Sequence, residues 1–295
     1  MQRGFTLVEA VIVMVITGIL GGMVAVFIGG PVSSYIASTR RAELTDAADL
    51  ALRRMARDIR LALPNSIRVV NDGAGRTGLE FLLVRTGGRY WAADDPVAGD
   101  FLGFPDLLVP GDAAAAAADL TFDLVGAPPA GRQAIVAGAD WLVVNNFGPG
   151  LVPADAYNCD LGPCNRALIT AVNGNRLTLQ DNPFAAQNPV MNSAANRFQV
   201  VSTPVSYDCN GGIGGSGRLT RLWNYPITPA QGNPAGGANP RSAILANNVV
   251  GCNFEYGNLA NTRIGLVGLT LTLQVPGSDD GPITLVHQIH VDGTP

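Results

Sequence analysis

Three patterns of apolar and polar positions follow one another along the chain. From Phe5 to Ile28 the residues are apolar almost without a break, and Glu9 is the one ionisable side chain among them. As a helix these residues, rising about 1.5 Å each, span roughly 36 Å, enough to cross a bilayer core of about 30 Å with some tilt. Leu44, Ala48, Leu52, Met55, Ile59 and Leu63 then fall three or four apart, which predicts a helix with an apolar stripe for a soluble domain to cover. The remaining faces carry Arg40, Arg41, Glu43, Asp46, Asp49, Arg53, Arg54, Arg57, Asp58 and Arg60. These arginines alternate with acids at helical spacing, so the pattern favours a solvated or subunit-facing surface over a nucleic-acid or lipid patch. Gly29-Gly30-Pro31 offers a place for a bend, Pro64-Asn65 is the stop, and the whole element from Phe5 to about Leu63 reads as one long N-terminal helix.

Past residue 65 the period changes to two. Ser66 to Val70, Leu79 to Val84, Leu120 to Val125, Trp141 to Asn145, Ala167 to Val172 and Arg176 to Leu179 read as strands. So do Phe198 to Ser202, Val205 to Cys209, Leu219 to Trp223 and Val249 to Tyr256. Asn173-Gly174-Asn175 supplies a hairpin turn. At the end, Leu269, Leu271, Leu273 and Val275 alternate with polar residues and meet Ile283, Leu285, Ile289 and Val291 across a turn at Pro276 to Pro282, an antiparallel ribbon with one wet face. The alanines of Asp112 to Asp119 suggest a short helix, while Asn210 to Gly217 and Pro226 to Pro240 read as loops.

Composition narrows this picture. One anchor helix leaves roughly 230 residues for a soluble core. The apolar fraction of 47% beside 14% charged residues argues against a disordered tail, and a net charge of −4 argues against a general nucleic-acid binder. Every basic residue is Arg, which is a bias of composition before it is a functional choice.

Glu9 needs a reason, because a carboxylate within a spanning helix costs about 2.5 to 3.5 kcal/mol at the bilayer centre and little near its surface. The residues before it supply one. Arg3-Gly4-Phe5-Thr6-Leu7-Val8-Glu9 resembles the cleavage and methylation signature of type IV prepilins, with a basic leader, Gly, an aromatic and then Glu. The resemblance implies a cut by prepilin peptidase between Gly4 and Phe5, N-methylation of Phe5, and a role for Glu9 in assembly, where its carboxylate answers the new amine of a neighbouring subunit among apolar helices. A secretory signal fits less well, since its apolar core runs to about 7 to 15 residues. Charge on the two sides of the span leaves orientation open; the resemblance places the C-terminal part outside the cytoplasm.

Further stretches extend the likeness. Leu266 to Leu273 and Leu285 to Pro295, with Arg41 to Ala48 and Leu52 to Asp58, are similar to MshO-type minor pilin-like proteins of mannose-sensitive haemagglutinin (MSHA) pilus systems. Leu219 to Trp223 and Leu245 to Tyr256 are also similar to the large J-type minor pseudopilins of type II secretion. The implied fold class is α+β and pilin-like, a long N-terminal helix packed on antiparallel sheet. It divides into a leader at 1–4, a transmembrane and assembly helix at 5–28, a soluble half-helix at 29–63 and a loop-rich β domain at 64–295. The implied role is that of a non-enzymatic subunit of a pilus or, alternatively, of a secretion pseudopilus. Its partners would be other pilin and minor pilin subunits, prepilin peptidase, an inner-membrane assembly platform and membrane lipid, with no nucleic acid and no cofactor. It would sit in the inner membrane as a single pass with the β domain in the periplasm. A membrane-anchored enzyme or ligand-binding β domain is the reading from another class.

An even cysteine count outside the cytoplasm favours disulfides, Cys159 with Cys164 across a short loop and Cys209 with Cys252 between two predicted strands. A zinc site is the rival, but paired knuckles are missing. Other candidate chemistry is thin. Gly73-Ala74-Gly75-Arg76-Thr77-Gly78 matches GxGxxG, yet it lies between strands, where a phosphate cradle requires a following helix. His287 shares a face with Ile283 and Leu285, and His290 points the opposite way, so the pair does not converge on a metal. Asp94-Asp95 and Asp279-Asp280 are turn-like acid pairs with too few oxygen ligands for a calcium loop, and no GxSxG elbow is present.

Overall fold

A computed structural model describes residues 6–71, 73, 76–91, 99–104, 112–160, 162–231, 240–257, 264–278 and 280–292. The apolar run and the amphipathic stripe form one helix, α1 (Leu7–Ile59), of 53 residues. At about 1.5 Å per residue it is about 80 Å long. Helical backbone continues through Gly29, Gly30 and Pro31, in line with the expectation of one long helix. The helix stops at Ile59, one turn before the end of the stripe. There the Leu61 and Ala62 amides donate to Asp58 and Ile59 carbonyls at 3.0 Å, a tightened last turn that hands the chain to a strand. Leu63 keeps its place in the core from the turn, 1% exposed.

The strands follow as β1 (Arg68–Asn71) and β2 (Arg76–Arg89), then, after the short helix α2 (Asp112–Ala118), β3 (Thr121–Asp123), β4 (Trp141–Val143), β5 (Arg166–Asn173) and β6 (Arg176–Leu179). The chain continues with β7 (Arg197–Asn210), β8 (Gly217–Trp223), β9 (Arg241–Gly257), β10 (Ile264–Leu273) and β11 (Ile283–Asp292). All these strands pair antiparallel with their neighbours. The Gly174 turn, at φ 63°, joins β5 to β6 as the sequence predicts.

β7 is the trunk of the sheet. One edge pairs with β2 along its whole length; the other pairs first with β4, at Gln199 to Val201, and then with β8, at Val205 to Asn210. From this fork one arm runs β8-β9-β10-β11 and the other β4-β5-β6-β3. Pro204 sits at the fork, inside what the sequence divides into two strands. It is tolerated because its partner Leu82 directs both peptide groups away from β7, the carbonyl accepting from Leu63 N–H and the amide donating to Ser66 Oγ. The pair is therefore not a hydrogen-bonded one, and the donor that proline lacks falls in the gap between β4 and β8.

α1 packs its C-terminal part, from Leu44 to Ile59, across one arm. Leu44, Ala48, Ala51, Leu52, Met55 and Ile59 are buried against β2, β9, β10 and β11. The other arm has a core of its own around Phe122, Leu142, Ile169, Leu177, Phe184 and Val200. β9 begins at Arg241, eight residues before the alternation that signals it, because its first half pairs only with β8 and leaves Arg241, Ser242, Ala243 and Ile244 exposed. At Asn248, φ 61°, the strand bulges and bends. Asn tolerates the left-handed region better than most residues, and the bend carries the second half of β9 back over β2 and β7.

Cys209 of β7 and Cys252 of β9 are bonded across that bend with Cα atoms 6.2 Å apart, and Cys159 is bonded to Cys164 at 5.1 Å. The first bridge encloses the longer loop. Replacing Cys209 and Cys252 by Ala is expected to lower unfolding stability by about 4 kcal/mol on the chain-entropy account, against about 2 kcal/mol for the Cys159–Cys164 pair. Denaturant titration of each double variant measures the difference; equal losses would show that loop length does not set the effect.

Candidate assembly interface

α1 begins at a cap. Thr6 has extended backbone, φ −83° and ψ 149°, and its Oγ1 accepts from the Glu9 amide at 3.3 Å. Thr6-Leu7-Val8-Glu9 is thus a Thr-x-x-Glu capping box in sequence, a local signal that the resemblance obscures. A carboxylate in the first turn is also favoured by the positive end of the helix dipole. Glu9 therefore has a local task besides any pairing with another chain, and its side chain is exposed.

From Leu7 to Phe27 the helix is long and apolar enough to cross a membrane, and none of this stretch is buried within the chain. Leu7 is 82% exposed and Phe27 83%. Thr17 satisfies its hydroxyl by donating to the Val13 carbonyl, so it adds no polar cost to the surface. Gly18 and Gly22 are one turn apart, and a Cβ at either would meet nothing within 4 Å. That spacing lets a second backbone approach closely in an apolar medium.

The prokaryotic N-terminal methylation motif matches residues 1–29. The chain carries a prepilin-type N terminus. It is a type IV prepilin-like protein with an α+β, pilin-like fold: an apolar leading helix that suggests inner-membrane anchoring, with the β domain outside the cytoplasm. The motif implies, in general terms, processing by prepilin peptidase and assembly with pilins in a pilus or pseudopilus. Gly4 and Phe5, the expected cleavage and methylation positions, lie outside the described residues. No curated protein and no solved structure matches the chain.

The C-terminal end of α1 is held to the sheet by buried charge. Asp58, placed by the sequence pattern among the solvated residues, is instead 5% exposed. Its Oδ2 accepts from Arg221 Nε at 2.7 Å and from Tyr207 Oη at 2.9 Å, and Arg54 Nε stands 3.5 Å from Oδ1. Burial first, and then the Asp58 carboxylate, push the Tyr207 phenol well above its ordinary range. The Arg221 guanidinium lies over the Trp223 ring at 4.7 Å. Nothing in the helical period separates Asp58 from its neighbours; only the register of β7 against β8 brings Tyr207 opposite Arg221. A second pair, Arg68 with Glu80 at 2.6 Å, ties β1 to β2 beneath Tyr157, whose ring Arg68 covers at 3.7 Å. Burial pushes the Glu80 carboxyl up against the pull of Arg68. Higher on the helix, Arg41 donates to the Asp280 carbonyl at 2.6 Å and ties α1 to the turn between β10 and β11.

The remaining sequence candidates fall where local structure explains them. Gly73 and Gly78 belong to the β1–β2 hairpin, with no helix following; Ala74 and Gly75 are outside the described residues. His287 is half-buried on the core side of β11 and His290 is exposed on the other side. The Asp280 side chain accepts from Ser278 Oγ at 2.7 Å within its turn, while Asp94, Asp95 and Asp279 are outside the described residues. Among the described residues no three His, Cys, Asp or Glu side chains stand together as a metal site. A cavity of 410 Å³ at the fork of the sheet is lined by Trp141, Arg166, Thr203 and Tyr225. Burial lowers Arg166 there to about 10.

Proposed function

We propose that the chain is a minor pilin-like structural subunit of a type IV pilus of the MSHA type. In this reading prepilin peptidase cuts between Gly4 and Phe5 and N-methylates Phe5, removing residues 1–4. The subunit waits in the inner membrane as a single pass through residues 5–28, with the half-helix at 29–63 and the β domain at 64–295 in the periplasm. An assembly platform then draws it into a filament, where it is incorporated beside, or primes the addition of, other pilin and minor pilin subunits. Its role is structural and not catalytic. One observation carries this: the methylation motif coincides with a 21-residue apolar half-helix that none of the described residues cover, continuous with a half-helix seated on its own sheet.

The likeness of residues 219–223 and 245–256 to J-type pseudopilins favours a second reading, a minor pseudopilin of type II secretion taking part in protein export. Neighbours decide between them. A photocrosslinking residue at Ile16, followed by mass spectrometry of the adducts, is expected to capture pilin-like subunits of a pilus system. Capture of secretion pseudopilins transfers the assignment to export, and capture of no pilin-like subunit at all contradicts both.

A further inference from the structure

Arg166 is a buried charge that its own domain leaves unanswered. The side chains of Arg68 and Arg221 are comparably buried, and each has a carboxylate within 2.7 Å, Glu80 for one and Asp58 for the other. Arg166 is 9% exposed. Among the described residues no carboxylate pairs with it, and its guanidinium makes one hydrogen bond, from Nη1 to the Ala156 carbonyl at 2.7 Å. Its buried Nε has no acceptor. The adjoining loop does not make good the deficit, because Asp155 gives one oxygen to the Gly150 amide and the other to the Tyr157 amide. A buried cation without a counter-charge is costly, and this one lines the 410 Å³ cavity at the fork of the sheet.

The cavity is a built site. Register sets Arg166 of β5 opposite Val143 of β4, and therefore on the same face as Trp141, whose ring the guanidinium covers at 4.7 Å. Ser202 and Thr203 of β7 form a second wall, and residues 224–227, after β8, form the third. That third wall is held in place. The Asn224 amide donates to Thr203 Oγ1 at 2.8 Å, and Arg68 donates to the carbonyls of Thr228 and Pro229 at 3.0 and 2.7 Å. Gln231 Nε2 adds bonds to the Arg68 and Gly78 carbonyls, so the segment that the sequence offers only as a loop is pinned to β1 and β2 as far as residue 231. A wall fixed before binding spares a ligand the cost of ordering it.

The lining selects the chemistry of the ligand. One guanidinium balances one negative charge, so a carboxylate is neutralised on Arg166 whereas a phosphate dianion is not. An aromatic face at Trp141, an apolar side chain at Ile227 and neutral hydrogen-bonding groups at Ser202, Thr203 and Asn224 suit a ring that carries hydroxyls on its edge and C–H groups on its faces. The volume is within the range of small-ligand sites, about 300 to 1,000 Å³. We infer that the fork cavity binds an acidic sugar of the hexuronate class, its carboxylate on Arg166 and its ring against Trp141 and Ile227.

This inference goes beyond the assembly reading and is tested without a filament, so neither outcome bears on the other. The full-length chain in detergent is titrated with galacturonate, with galactose and with an N-acetylated tripeptide bearing a free C-terminal carboxylate, and binding is read by ligand-detected NMR. Galacturonate is expected to bind about tenfold or more tightly than galactose, the size of one charge-assisted pair. Arg166→Gln is expected to abolish that preference. Asn224→Asp is a second variant that spares the core: residue 224 is exposed at φ 64°, a conformation Asp also tolerates, and the new charge at the wall is expected to weaken galacturonate about tenfold and leave galactose unchanged. Equal affinity for galacturonate and galactose, no binding of galacturonate, or indifference of its binding to both substitutions overturns the proposal. Tighter binding of the tripeptide than of galacturonate overturns the sugar assignment.

Discussion

Glu9→Gln is expected to leave the chain inserted in the membrane and to cut its incorporation among neighbouring subunits by about a hundredfold or more. Glu9 belongs to the cap of α1 and, in the proposed assembly, also answers a neighbour's amine. Glu9 follows the Thr6 cap at the third helical position, where Gln serves a capping box as well as Glu does. The substitution therefore preserves the helix start and removes only the charge. A single subunit in lipid loses a carboxylate whose insertion was unfavourable, so insertion is unchanged or easier. In a filament the amine of a neighbour would be left among apolar helices without a counter-charge, a loss of about 3 to 5 kcal/mol for a broken buried pair. Membrane fractionation and recovery of crosslinked partners measure the two effects separately. Unchanged recovery of partners would leave Glu9 with its local capping task alone.

Asp58→Ala is expected to destabilise the soluble domain by about 3 to 5 kcal/mol, because it strands Arg221 and Tyr207 in the core. A double variant that replaces Asp58 and Arg221 together with apolar residues of similar size should recover most of that loss, since the desolvation cost of both charges disappears with them. Denaturant unfolding of the detergent-solubilised chain reads both. A single variant as stable as the parent would mean that Arg221 finds water or another acceptor, and that the helix is held to the sheet by the apolar stripe alone. The stripe is considerable: Leu44, Ala48, Leu52, Met55 and Ile59 all lie in one core with strands of the β8–β11 arm.

The helix was legible because both of its signals are long. A run from Phe5 to Ile28 and a stripe from Leu44 to Leu63 each repeat over several turns, and only the stop was misplaced, by the turn that hands Leu63 to β2. The last two strands were legible for the same reason, since β10 and β11 alternate cleanly with one wet face. What local pattern does not carry is partnership between distant segments. Pro204 looks like a break until Leu82 is found beside it with its peptide groups turned away. Residues 241–244 of β9 carry no alternation because they pair with β8 and stand exposed on both faces. Asp58 looks like the other acids of its helix until the register of β7 and β8 sets Tyr207 and Arg221 around it. At the front end the position is reversed. Residues 1–29 speak through their motif, while the fold contributes a bare apolar surface and a capped first turn.

The fate of the first five residues decides whether this is a processed subunit, and mass spectrometry of the N-terminal peptide from assembled material tests it most directly. The expected peptide begins at Phe5 and carries one methyl group on its amine, with Met1 to Gly4 gone. A peptide that still begins at Met1 in protein recovered from the filament would contradict the central claim.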